Sequence, residues 1–273
     1  MVERCEFIRT VLHDIFGAPV LSSAPRKRER ETDSGITAFL KTYCFPRRLT
    51  SAKGASGQSA IDPKALGTVI HGQLAMWAPA IRSRPIDAKE SARVRASFLP
   101  QTRAIIEHFE RKRFILLTAN LVVSDPMLRY DTPIDLLALD VAHLQTNLVR
   151  LLLVEIKTTR RRPCNGGTRC VEPISHHLTY ETAENYAILQ ATLPSIRMNE
   201  VLQQHQSRFV ERGFKVHVLP YIVFLRMGDN DALSINEYVA PPAMQTVDFR
   251  NALVPLLPST ANDDAKRRKA NQQ

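Results

Sequence analysis

The chain lacks the segments that would place it in a membrane or outside the cell. Nowhere in its 273 residues does the run of roughly 18 apolar residues needed for a membrane span occur. The N-terminal stretch carries Glu3, Glu6 and Asp14 where a signal peptide would have its apolar core, so an intracellular protein is expected. No P-loop, GxSxG elbow or HExxH helix is present, which leaves NTPase, α/β-hydrolase and zincin chemistry without support. Cysteine is scarce, and 4 residues in a chain of this length do not make a disulfide framework. Cys164, Cys170, His176 and His177 are zinc-ligand types, but C-x5-C with an adjacent His pair is poor ligand spacing. Free thiols in a reducing compartment are the expectation. Acidic residues are also short: 27 Asp+Glu against 37 Lys+Arg give a formal charge of +10. Such a surplus attracts polyanions, of which nucleic acid is the commonest, although it also serves plain solubility.

The most informative stretch is Val149 to Thr159, VRLLLVEIKTT. Leu151 to Val154 form an apolar run too short for a helix core and suited to a strand buried on both faces. Alternation then puts Leu151, Leu153, Glu155 and Lys157 on one face, so a carboxylate and an ammonium close a buried strand. A Glu–Lys pair at a strand edge is the ordinary explanation of a lone ExK. A second strand, TPIDLLALD at 132–140, adds to it. A hairpin turning near Gln145 pairs positions summing to 290, which sets Asp135 across from Glu155, with Cβ atoms about 5 Å apart. Two carboxylates that close repel, and a divalent cation is the usual way to keep both ionised. With Lys157 beside them they form the minimal set for metal-dependent phosphodiester hydrolysis, in which the lysine holds or deprotonates the attacking water. Asp140, on the opposite face, is expected to be a solvated strand end.

Asp135 followed by Glu155-Ile156-Lys157-Thr158-Thr159 resembles the PD-(D/E)xK nuclease superfamily, and more closely its RecB-like exonuclease branch. Leu66-Gly67-Thr68-Val69-Ile70-His71 is similar to that branch's G-T-x-h-H helix, and Tyr186 and Gln190 stand where it carries a substrate-contacting helix. The likeness spans about residues 60–225. It departs at Pro133, near where a glycine is common, and in the order of Tyr186 before Gln190. The cysteines do not fit the family's iron–sulfur pattern, since none follows residue 170. The resemblance implies a restriction-endonuclease-like α/β core, a mixed central sheet flanked by helices in the order αβββαβ, with an N-terminal helical extension. It implies His71, Asp135, Glu155 and the Ile156 carbonyl as ligands of Mg²⁺ or Mn²⁺. It also implies Tyr186 and Gln190 as contacts to the scissile strand, and cleavage that leaves a 5′-phosphate. Without it, His71 on an apolar helix face would read as a core histidine. Arg160, Arg161 and Arg162, in a basic loop beside the proposed site, could clamp phosphates.

The expected organisation is a helix and basic linker over residues 1–60, a nuclease domain over 61–258 and a basic tail over 259–273. Helices are expected at 2–16, 62–77, 88–111, 178–193, 198–211 and 243–256, with irregular chain at 36–62. Strands are expected at 114–123, 132–140, 149–159, 214–225 and 233–239. Glu107 and Glu110 suit surface pairing with arginine or lysine better than a role at the metal. Asp125 is read as a turn residue. The resulting expectation is a metal-dependent DNA exonuclease of replication, recombination or repair, with DNA and a replication or recombination protein as partners. Its basic runs are compatible with the nucleus. A catalytically silent nucleic-acid-binding module and a structure-specific endonuclease are the alternatives.

Overall fold

A computed structural model describes residues 2–17, 35–45, 63–78, 88–143, 147–159, 169–227 and 233–257. Five strands form the main sheet: β1 (Phe114–Ala119), β4 (Leu136–Asp140), β5 (Leu148–Thr159), β6 (Lys215–Met227) and β7 (Leu233–Tyr238), side by side in that order. A separate hairpin, β2 (Val122–Asp125) and β3 (Tyr130–Pro133), is inserted between β1 and β4. β1, β4 and β5 pair antiparallel, β6 lies parallel to β5, and β7 returns antiparallel. This is an α/β fold with a mixed central sheet flanked by helices.

Alternation along the strands divides the core in two. Leu137, Leu139, Leu151, Leu153, Val218 and Phe224 face helices α1 (Val2–Phe16) and α6 (Ala183–Gln204). Leu136, Ala138, Leu152, Val154, Ile156 and Val223 face α3 (Pro63–Trp77) and α5 (Pro100–Lys112). Burying each large aliphatic side chain contributes roughly 1.5–3 kcal/mol, so the two-sided burial of β5 alone anchors the sheet. Ile8, Val11 and Leu12 of α1 join the same core, as do Ile36, Phe39, Leu40, Cys44 and Phe45. The described residues of the expected extension are thus packed into the same core. Residues 36–44, expected to be irregular, form a short helix, α2 (Ile36–Phe39), continued by a π-turn through Cys44. Cys5, Cys44 and Cys170 are unbridged thiols.

Several boundaries differ from expectation for local reasons. The helix expected over 88–111 is two, α4 (Ala88–Ala96) and α5, because Pro100 cannot continue a helix and instead opens one at its first turn. The strand expected over 114–123 breaks after Ala119, where Asn120 adopts a left-handed φ of 55° and the chain turns into the hairpin. The helix expected to end at 193 instead runs from Ala183 to Gln204 through Pro194, and α7 (Gln206–Val210) follows. Proline costs a helical hydrogen bond, but Leu189, Ala191, Thr192, Leu193, Ser195 and Ile196 are all buried around it, so packing outweighs propensity. Thr182 caps α6 by accepting from the Asn185 amide at 3.1 Å. The helix expected at 243–256 reduces to α8 (Val247–Ala252) between two 3₁₀ turns.

Asp125 does more than turn the chain. Its Oδ1 accepts from the amides of Met127 and Leu128, each at 3.0 Å. The same carboxylate receives Arg250 Nε at 2.5 Å and Nη2 at 2.6 Å, with both side chains shut off from solvent. Arg250 Nη1 reaches Glu200 of α6 at 3.0 Å, so one guanidinium ties α8, α6 and the inserted hairpin together. Removing one partner of a buried pair leaves an uncompensated charge. Arg250→Ala is therefore expected to lower the unfolding free energy by about 3–5 kcal/mol in urea titration.

Candidate functional site

The hairpin forms in the expected register. Leu136 pairs with Val154, Leu137 with Leu153 and Leu139 with Leu151, so continuing the ladder by one pair sets Asp135 across from Glu155. Two features shape this end of β4. A bulge at Leu117 interrupts the pairing of β1 with β4 just before Leu137. The inserted hairpin is pinned back by Asn120 N donating to Ile134 O at 3.0 Å and Ile134 N to Leu121 O at 2.9 Å. Asp135 thus enters β4 from a fixed turn. Its Oδ2 accepts from the Ile156 amide at 3.2 Å, which locks the carboxylate against β5.

Helix α3 supplies the third group. Leu66, Ile70 and Leu74 bury its apolar face, and His71 emerges beside them, partly exposed, at the end of the sheet. His71 Nδ1 lies 3.2 Å from Asp135 Oδ1, and Nε2 lies 3.2 Å from the Ile156 carbonyl oxygen. The approach depends on Gly67, because a Cβ there would sit 3.1 Å from Thr158 Oγ1. Lys157 donates to Glu155 Oε1. The Glu155 side chain is 7% exposed and that of Lys157 30%, so the pair stands at the rim of the core.

The electrostatics follow from this crowding. Burial, then the neighbouring Asp135 charge, pushes Glu155 up to about 7, with Lys157 and His71 offsetting only part of it. Burial also opposes ionisation of Asp135, but His71, Lys157 and the Ile156 amide outweigh it and hold that carboxyl below its usual range. For His71, burial disfavours the imidazolium, while Asp135 and then Glu155 more than compensate and raise its pKa. Lys157 is likewise raised, burial being overcome by Glu155 and Asp135. One carboxyl is thus held ionised and the other is poised near neutrality, an arrangement that accommodates added positive charge.

Tyr186 and Gln190 stand one turn apart on α6. The Tyr186 hydroxyl donates to the Thr37 carbonyl at 3.0 Å, and its ring packs against Phe45 at 5.5 Å. Tyr186 lies close enough to Lys157 to act on its charge. Gln190 Nε2 reaches Thr37 Oγ1 at 3.4 Å, while its buried Oε1 has no partner among the described residues. The chain therefore brings together His71, Asp135, Glu155, Ile156, Lys157 and Tyr186, with Gln190 one turn further along. Arg160, Arg161, Arg162 and Cys164 lie outside the described residues. Among the alternatives, Glu107 and Glu110 both pair with Arg95, at 3.3 and 2.9 Å, as surface partners. Asp140, expected to be solvated, is buried and caps the next turn by accepting from Ala142 N at 3.0 Å. His176 turns toward Glu172 at 3.8 Å and His177 packs edge-on to Phe249.

Among the described residues no group of three or more His, Cys, Asp and Glu side chains is preset to hold a metal ion. His71 is engaged with Asp135 and Lys157 with Glu155 instead. The oxygen donors nevertheless fit a small hard cation, two carboxylates and a carbonyl, with the imidazole as a softer fourth donor. His71 spends one ring nitrogen on each neighbour, Nδ1 on Asp135 and Nε2 on Ile156 O, so only one of the two could turn to an ion.

Comparisons of the chain with protein-family models, with curated proteins and with solved structures return no match.

Two outcomes test this geometry. Glu155 has a raised folded pKa, so its stabilising contribution is complete below about 4.5 and is lost as pH rises through about 7. In EDTA, Glu155→Gln should therefore gain stability relative to wild type as pH rises from about 5 to 8, read by thermal melts. A difference that shrinks with pH would contradict the assignment. Gly67→Val should cost about 1–3 kcal/mol through overpacking against Thr158, measured by the same melts.

Proposed function

We propose that the protein is a metal-dependent phosphodiesterase that acts on DNA, working as an exonuclease through a restriction-endonuclease-like core. The observation that carries this reading is the β4–β5 register, which apposes Asp135 and Glu155 with Lys157, His71 and the Ile156 carbonyl around them. The order α5, β1, β4, β5, α6, β6, with three antiparallel strands and a parallel fourth, supports the αβββαβ core. The formal charge of +10 suits a polyanionic substrate.

Asp135, Glu155, the Ile156 carbonyl and His71 would hold Mg²⁺ or Mn²⁺. When bound, such an ion polarises a phosphoryl oxygen and acidifies the attacking water. Lys157 orients that water by N–H donation from the rim of the core. Asp135, gripped by the Ile156 amide, keeps its geometry at little entropic cost. Tyr186 carries the α6 side of the site, and Gln190 lies one turn further along it with a buried acceptor unfilled. The arginines of 160–162 remain candidates for holding the backbone.

A second reading, a nuclease-fold module that binds nucleic acid without cutting it, is favoured by one observation: the His71–Asp135 and Lys157–Glu155 couples are closed on themselves.

The deciding experiment incubates 5′-labelled single-stranded and duplex DNA with the protein in Mg²⁺, Mn²⁺ or EDTA. Metal-dependent degradation is expected, reduced about 10²–10⁴-fold in Glu155→Gln and Lys157→Ala. Tight binding without cleavage in any metal would leave only the binding module.

A further inference from the structure

The face of the sheet that carries Glu155 and Lys157 holds another cation. β6 runs parallel to β5 with Lys157 beside Phe224 and Thr159 beside Arg226. Phe224 is buried on the α6 side together with Leu151 and Leu153. Alternation therefore sends Glu155, Lys157 and Arg226 toward that same side. Arg226 is the diagonal neighbour of Lys157 on that face, two register steps further toward the C-terminal ends of β5 and β6.

Its guanidinium is held in place. Nη2 donates to the Tyr238 hydroxyl at 3.0 Å, and the Tyr238 ring is fixed edge-on to Phe224 at 5.2 Å. Glu184, in the first turn of α6, approaches Nη2 at 3.9 Å, which draws the charge without making a hydrogen bond. Arg226 Nε is buried and meets no acceptor among the described residues. A buried donor without a partner is costly, and a guanidinium N–H all the more so. Arginine presents its donors as a fixed fork that matches two phosphate oxygens. Nε itself is closed to solvent, but the side chain as a whole remains 21% exposed, so an anion meets the guanidinium from its open side.

We infer that Arg226 binds a backbone phosphate of a nucleic-acid strand, next to the phosphodiester held at Glu155 and Lys157, with Tyr238 and Glu184 as its positioning residues. The location of that phosphate relative to the scissile one rests on the nuclease reading. The contact itself requires only a polyanion.

The rival role for Arg226 is a counter-ion for Glu184, and a double-mutant comparison separates the two. Binding of a short fluorescein-labelled single-stranded DNA is followed by anisotropy in EDTA, over a range of salt, for wild type, Arg226→Ala, Glu184→Gln and the double variant. Loss of the contact is expected to weaken binding about tenfold or more, with or without Glu184. The slope of log affinity against log salt should become shallower by about 0.7. Unchanged affinity in Arg226→Ala, or affinity restored by Glu184→Gln, overturns the inference. So does a wild type without measurable affinity. Arg226→Gln replaces alanine in the same comparison if circular dichroism shows that the alanine variant has lost its fold. Wild type that degrades DNA with Mg²⁺ yet binds it no better than Arg226→Ala removes this contact and leaves the nuclease standing. Wild type that never cleaves, but loses binding with Arg226→Ala, does the reverse.

Discussion

Two carboxyl groups facing each other across one strand pair repel, and much of the surrounding structure relieves that repulsion. Asp135 and Glu155 are brought together by the β4–β5 ladder, whose register is set by burial of Leu137, Leu139, Leu151 and Leu153 on one face. A slip of one residue would turn the two leucines of the slipped strand away from α6, so the hydrophobic core holds the charges against each other. Relief comes from both sides of the sheet. His71 arrives from α3 through the close approach that Gly67 permits, and Lys157 comes from β5 itself. The unequal acidities of the two carboxyls record how incomplete that relief is.

The α6 side of the site is organised from a distant part of the chain. Thr37 receives the Tyr186 hydroxyl on its carbonyl and Gln190 on its hydroxyl. Ile36, Phe39 and Leu40 around it are buried in the same core as α6. The N-terminal segment therefore sets the positions of two residues that the sequence presents as parts of a self-contained helix. The Asp125–Arg250–Glu200 network performs the matching task at the other end of α6, joining it to the hairpin that leads into Asp135.

How far this arrangement was legible depended on the range of the interaction concerned. The β4–β5 register could be counted from residues 132–159 because both strands, their turn and their alternating leucines lie in one short window. His71 was singled out only by the resemblance of Leu66–His71 to a family motif, since its helical pattern alone reads as core. Glu107 and Glu110 were legible as surface partners of a cation, but the cation is Arg95 of α4 and not a residue at helical spacing on α5. Arg226 and Arg250 were not: each takes its meaning from neighbours that only the tertiary fold supplies, the parallel pairing of β6 in one case and a contact 125 residues away in the other. The split of α4 from α5 was present in Pro100, yet the continuity of α6 through Pro194 was not, because burial on both sides of that proline overrides its local cost.

The parallel pairing of β5 with β6 also bears on how the molecule is made. β5 can find β4 as soon as their short connection is synthesised, but its other edge is covered only by residues such as Ile222, which pairs with Glu155. Contacts of that sequence separation form slowly, since a long loop must close before they contribute. During synthesis the strand carrying Glu155 and Lys157 therefore waits with an apolar open edge, a template for pairing with other chains. The strand that carries Glu155 and Lys157 is thus also open to mispairing until β6 has been added.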